Sequence, residues 1–159
     1  MSDPTDTRPL RERLARHPFA EGLSDEFVDR LLTCATEVAY PSGAFVLREG
    51  GEADALYLLT DGRVVLEVGG PGRALERVET LCAGELLGLH WLFPPRRWVL
   101  DARVVDPVSA IALDAERLRA ELDRDPDFGY AITTKLLAQL YERLERVRLQ
   151  RLDVFKVEP

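Results

Sequence analysis

Two cysteines, two histidines and one methionine in 159 residues leave little material for several kinds of chemistry. Cys34 and Cys82 stand alone, without a CxxC or finger-type spacing, so no metal motif and no disulfide framework is expected. Both read as buried, reduced thiols of a cytoplasmic protein. His17 and His90 are the only histidines, too few for the His-rich metal site of a cupin-type enzyme. No G-x-S-x-G and no P-loop occurs. These absences point away from an enzyme. No stretch approaches the roughly 18 apolar residues of a membrane span. The opening "MSDPTDTRPL" lacks the apolar run of a signal peptide. Lys and Arg number 21 against 28 Asp and Glu, a net charge of −7, which argues against a broad basic face for nucleic acid. There is no internal repeat and no low-complexity segment.

What is present suffices for a globular core: 46% of residues are hydrophobic and 31% charged. Three parts follow one another. Residues 1–35 predict two helices. "PLRERLAR" sets Leu10 and Leu14 four apart and stops before Pro18. "LSDEFVDRLLTCA" offers Ser24 as N-cap and a stripe of Leu23, Phe27 and Leu31. Residues 36–113 predict short strands ("TEVAY", "AFVLRE", "ALYLLT", "RVVLEV", "ALERVETL", "VLDARVV" and "VSAIALD") between Gly- and Pro-marked breaks. Such spacing points to an antiparallel sandwich or barrel. "TDGR" reads as a hairpin, with Gly62 supplying a positive φ. Residues 114–155 return to helices, capped by Asp114 and by Asp125 ahead of Pro126. Leu137, Leu140, Leu144, Val147, Arg151 and Val154 recur at spacings of three and four, a heptad-like seam with one Arg in it. Part of that seam is expected to pack on the domain, and the rest to form a dimer contact or a solvated face.

Two helices, a glycine-punctuated roll and a long terminal helix, with "YPSGAFVLREGGEADALYLLTDGRVVLEV" and "ETLCAGELLG" in the middle, resemble the cyclic-nucleotide-binding domain family. That is the regulatory module of Crp/Fnr regulators and cyclic-nucleotide-dependent kinases. The likeness covers about residues 19–150, with Gly43, Gly50, Gly62, Gly84 and Gly88 at the family's turn glycines. It implies a mainly β fold, a double-stranded β-helix or jelly-roll-like β-roll, flanked by N-terminal helices and a long C-terminal helix.

The resemblance also implies a phosphate-binding cassette, roughly F-G-E-[LI]-A-L-L followed by P-R-x-A-[ST]-V. The Gly brings backbone close to the ligand, and free N–H groups of the next turn meet the phosphate. The Glu accepts from the ribose 2′-OH, and the Arg pairs with the phosphate. Here the stretch reads "LLGLHWLFPPRRWVLDA". Gly88 and Pro95-Arg96 match. Leu89 stands at the Glu, Trp98 at the Ala and Val99 at the hydroxyl residue, and Trp91 falls where Ala is common.

The candidate ligand residues are therefore Gly88, Leu89, His90, Trp91, Arg96, Trp98 and Val99. His90 reads as a hydrogen-bonded packing residue, against the alternatives of ligand contact or proton switch. Haem is set aside because no second His or Cys motif supports it. Trp91 and Trp98 read as pocket-filling core rather than as stacking platforms. Arg96 stands evenly between an anion contact and a solvated side chain, Arg97 is expected to be exposed, and Glu85 to cap or pair within its turn. The expectation is one domain with a degenerate pocket that does not bind cyclic AMP or cyclic GMP in the usual manner. The alternative is a sensor of a small anionic nucleotide through Pro95-Arg96. No cofactor is assigned beyond a cyclic or other nucleotide as candidate ligand. The expected partners are a second copy through Leu137, Leu140, Leu144 and Val147, and an unidentified protein. No membrane contact is expected. Nor is DNA contact, since the four residues after Phe155 leave no room for a helix-turn-helix.

Overall fold

Side-chain oxygens start three helices of this chain, whose computed structural model describes residues 8–69, 72 and 74–156, with side chains to residue 152. Helix α1 (Leu10–Arg16) has no side-chain cap and stops ahead of Pro18. Helix α2 (Asp25–Leu32) begins where Ser24 Oγ accepts from the Phe27 N–H at 3.2 Å. Its first turn is acidic and Arg30 lies in its last, the arrangement the helix dipole favours. The six strands are β1 (Ala35–Tyr40), β2 (Phe45–Leu47), β3 (Ala55–Val68), β4 (Glu76–Cys82), β5 (Leu86–Leu87) and β6 (Asp101–Asp114). Helix α3 (Ala115–Arg124) is capped by Asp114, whose Oδ1 accepts from the Arg117 N–H at 2.9 Å. Helix α4 (Pro126–Lys156) is capped by Asp125, which accepts from the N–H groups of Asp127 and Phe128. All three caps are those expected from the sequence.

Strands β3 and β6 pair antiparallel along their whole length. Their halves have different outer partners. One end of β6 pairs with β1 and the other with β2, while one end of β3 pairs with β5 and the other with β4. The result is two antiparallel layers sharing two long bent strands, which is the expected β-roll.

The bend corrects one expectation. "TDGR" is not a hairpin, because β3 continues through it as one strand. The β3–β6 register shifts three times between Leu59 and Val64, opposite Asp106-Pro107. Gly62 has φ +85, and a Cβ there would lie 2.2 Å from the Pro107 carbonyl oxygen. Two turn-like signals thus face each other and make one shared kink, where Pro is tolerated because the ladder is already broken.

The core fills both layers and the helices that close them. Leu14, Phe19, Leu31, Trp91, Ile111 and Phe128 are fully buried. His17 is buried as well. Its Nε2–H donates to the Leu59 carbonyl at 3.0 Å, and its Nδ1 accepts from the Phe19 N–H at 3.1 Å. Burial lowers its pKa, although the bond to Leu59 works the other way. Cys34 is buried as expected, but Cys82 is exposed. The period-two alternation of β4 sends Leu81 inward and its neighbour out. The seam on α4 also differs from expectation. Its core-facing row is Phe128, Ile132 and Leu136, while Leu137, Leu140, Leu144 and Val147 remain 37–66% exposed. Arg151 is exposed, and the Val154 side chain lies outside the described residues.

The kink makes a paired prediction. Gly43→Ala, at φ +86 with open space around it, should cost about 1–2 kcal/mol from backbone strain alone. Gly62→Ala adds the collision with Pro107 and should cost roughly 4–5 kcal/mol, an exceptional value for one substitution. Equal losses in urea denaturation would show that the Pro107 contact does not hold the bend.

Candidate functional site

Trp98 organises the corner where the unusual residues meet. The residue is 5% exposed. The Trp98 backbone N–H donates to the Gly51 carbonyl at 2.9 Å, and its backbone carbonyl accepts from the Gly50 N–H at 2.8 Å. The indole spans two bare stretches of backbone. A Cβ on Gly51 would stand 3.3 Å from Cδ1, and a Cβ on Gly88 would stand 2.8 Å from Cη2 at the other end of the ring. Gly88 also has φ +91, so both its shape and its conformation exclude other residues. Gly51 was missing from the expected site. The only sequence signal for it is the doubled glycine of "REGGE".

After Gly88 the chain makes a 3-10 turn, Leu89–Trp91. Leu89 is half-buried, and His90 is exposed with no ring hydrogen bond among the described residues. Trp91 is fully buried, and its Nε1–H has no partner among the described residues. Arg119 on α3 donates to the Trp91 carbonyl at 2.5 Å and ties the turn to the helical end. The Pro94–Pro95 bond is cis, and Arg96 follows with φ +56. Its backbone is held on both sides, by Phe93 O and by the Ala53 N–H. Its side chain is exposed, as is Arg97, which reaches the Gly50 carbonyl at 3.2 Å.

A cavity of about 390 Å³ opens between this corner and α4. Eleven of its fifteen lining residues are Leu, Val, Phe or Trp, one is Gly88, and three are Glu79, His90 and Arg143. Gly88, Leu89, His90, Trp98 and Val99 of the expected site line it, as do Leu140, Leu144 and Val147 of the seam. Trp91, Arg96 and Leu137 do not.

The charges beside the cavity are matched to each other. Arg143 donates to both Glu79 carboxylate oxygens, at 2.7 and 3.1 Å, and to the Leu86 carbonyl at 3.3 Å. Arg146 donates to Glu79 at 2.9 Å and to Glu85 at 2.6 Å. Glu85 also accepts from the Cys82 N–H within its turn, so it both caps locally and pairs with α4. Burial opposes the ionisation of Glu79, but the hydrogen bonds and charges of Arg143 and Arg146 outweigh it and hold its carboxyl below the usual range. Its contribution to holding α4 is therefore present above the unfolded pKa and is lost in acid, as pH falls through the lowered folded value. Among the described residues, no group of His, Cys, Asp and Glu could hold a metal. No helix among them is long and apolar enough to cross a membrane.

Comparison with known proteins finds one family profile, "Cyclic nucleotide-binding domain", matching residues 37–125. A "Cyclic AMP receptor protein" of Thermus thermophilus is 31% identical over 144 residues, 89% of this chain and 63% of that protein. A "CRP-like cAMP-activated global transcriptional regulator" of Mycobacterium tuberculosis is 26% identical over 137 residues, 86% of this chain and 59% of that protein. The chain thus spans about three-fifths of the length of these relatives. In fold, a cyclic nucleotide-binding domain from Methylobacillus flagellatus superposes with a TM-score of 0.78 at 21% identity, covering 90% of this chain and 83% of the other.

Arg143→Met keeps the aliphatic stem but leaves Glu79 with Arg146 alone. The expected loss is about 1–3 kcal/mol, since a half-buried carboxylate loses its two-pronged partner. Amide exchange in α4 beyond residue 140 should speed up while the roll is unchanged. Unaltered exchange there would mean that this cluster does not hold the helix.

Proposed function

This chain belongs to the cyclic nucleotide-binding domain family, and on that premise we propose that it is a regulatory domain whose cassette does not take cyclic AMP or cyclic GMP in the family's usual manner. The observation that carries this reading is the indole of Trp98 packed against Gly88. The resemblance puts the phosphate beside that backbone. Leu89 adds to it. A ribose 2′-OH facing Leu89 would lose its acceptor, at about 1–3 kcal/mol, or roughly five- to 150-fold in affinity. Arg96, the one matched polar residue, is exposed and does not line the cavity. The setting proposed is cytoplasmic, where free thiols such as Cys34 and Cys82 persist.

A second reading has one observation in its favour. Arg96 makes no ion pair among the described residues, so it is free to meet a small anion such as a nucleotide. In both readings α4 is the output, because it lines the cavity and is tied to the roll through Arg143 and Arg146. Its exposed Leu137, Leu140, Leu144 and Val147 form a face suited to a second copy of the chain.

Calorimetric titration with cyclic AMP and cyclic GMP should give flat isotherms, and a one-to-one micromolar isotherm with either would sink the first reading. Binding of AMP or a cyclic dinucleotide that Arg96→Ala abolishes would select the second. By light scattering the chain should have about twice its 17.9 kDa mass, and Leu144→Arg should return it to the monomer. A monomeric mass for the unsubstituted chain at high concentration would refute the dimer.

A further inference from the structure

If the cassette does not take a cyclic nucleotide, the cavity beside it is still there. We propose that this cavity binds a compact, uncharged, largely apolar small molecule, with the His90 ring as its single polar contact. The inference rests on the reading of the cassette given above and names the ligand class for the same place.

Size comes first. At about 390 Å³ the cavity lies within the usual range for ligand sites, roughly 300–1,000 Å³. A dry apolar cavity of about 150 Å³ already suffices for benzene.

The lining then selects the occupant. The walls are aliphatic and aromatic, and they come from separate parts of the chain: Leu47 and Leu66 from the roll, Leu89 and Trp98 from the cassette, Leu140 and Leu144 from α4. An anionic ligand would need a free cation. The only guanidinium in the lining, Arg143, is already committed to Glu79 and the Leu86 carbonyl. A cationic ligand would need a free carboxylate. Glu79 already accepts from Arg143 and Arg146. A charged group placed there would lose water without gaining a partner, which is strongly unfavourable. His90 remains, lining the cavity with a ring that has no hydrogen bond among the described residues. One donor or acceptor on an otherwise apolar molecule matches it.

The rim supports the same conclusion. Phe93 and Val99, which lie outside the dimer face proposed above, are 62% and 52% exposed at the opening. Each exposes apolar surface to water until something covers it, and apolar surface around a concavity marks a binding site. An occupant touching Leu89 and Trp98 on one wall and Leu144 on the other would bridge the roll to α4. Occupancy would then stiffen the helix.

The test uses the full chain and the neutral fluorophore N-phenyl-1-naphthylamine. Its emission should rise saturably with one site per chain. Val99→Arg and Phe93→Arg, at two exposed rim positions outside the proposed dimer face, should each weaken binding about tenfold or more. Leu75→Arg, an exposed leucine outside the cavity, should leave it unchanged. Two rim variants guard against one of them misfolding. Absence of a saturable signal would overturn this inference alone, provided the cyclic AMP isotherm is flat. So would binding that ignores both rim substitutions, because the probe would then sit elsewhere. Displacement of the probe by cyclic AMP would overturn both this inference and the reading beneath it. A signal that falls as the chain is concentrated into its dimeric range would show that a second copy fills the cavity, and would overturn the inference too.

Discussion

The carbonyl of Pro107 occupies the place where a side chain on residue 62 would have to begin. That close approach lets β3 and β6 bend together, and the two layers of the roll exist because they do. Each strand can serve both layers only if its pleat is broken at the same level as its partner's. Glycine at 62 tolerates the positive φ, and proline at 107 gives up a hydrogen bond that the kink could not make. With the bend in place, β5 and the turn after Gly88 fall over one layer and β4 over the other. The floor and one wall of the cavity follow.

A similar device recurs at Trp98. A large indole is accommodated not by carving a hole in the core but by presenting glycine backbone at each of its ends, Gly51 and Gly88. The gain is a large buried aromatic surface at a corner made of loops. The cost is that the backbone at Gly88 has little open space above it. The fully buried Trp91 nearby has no hydrogen-bond partner for its Nε1–H among the described residues.

Helix α4 is held in two ways. Its first turns pack through Phe128, Ile132 and Leu136, and Arg30 lies over the Phe128 ring while donating to Glu121 and Asp125. Farther along, apolar packing gives way to the cluster of Glu79, Glu85, Arg143 and Arg146. Hydrophobic contact is undirected and firm, whereas a partly exposed charge cluster can be rearranged at modest cost. On the function proposed above, a helix fixed at one end and charge-tied over a cavity is the element that would register an occupant.

Much of this was legible in the chain itself. The caps at Ser24, Asp114 and Asp125 are local, since a short polar side chain bonds an N–H two or three residues on, and they stand as read. The strand-rich middle is carried by periodicity and the turn glycines by residues whose backbone needs are their own, while the position of the cassette is implied only by the family resemblance. What failed was what depended on distant partners. "TDGR" carries the local signature of a hairpin, and only Asp106-Pro107, more than forty residues away, makes it a bend. Cys82 is sent outward by the phase of β4, and the α4 seam is left exposed because the neighbouring Leu136 takes the core. Gly51 became part of the site only through an indole 47 residues later. A cap or a positive φ is set within a few residues and can be read directly. A bend, a cavity and the side of a helix that faces inward are set by whichever surfaces come to oppose each other, and those are decided only when the chain is folded.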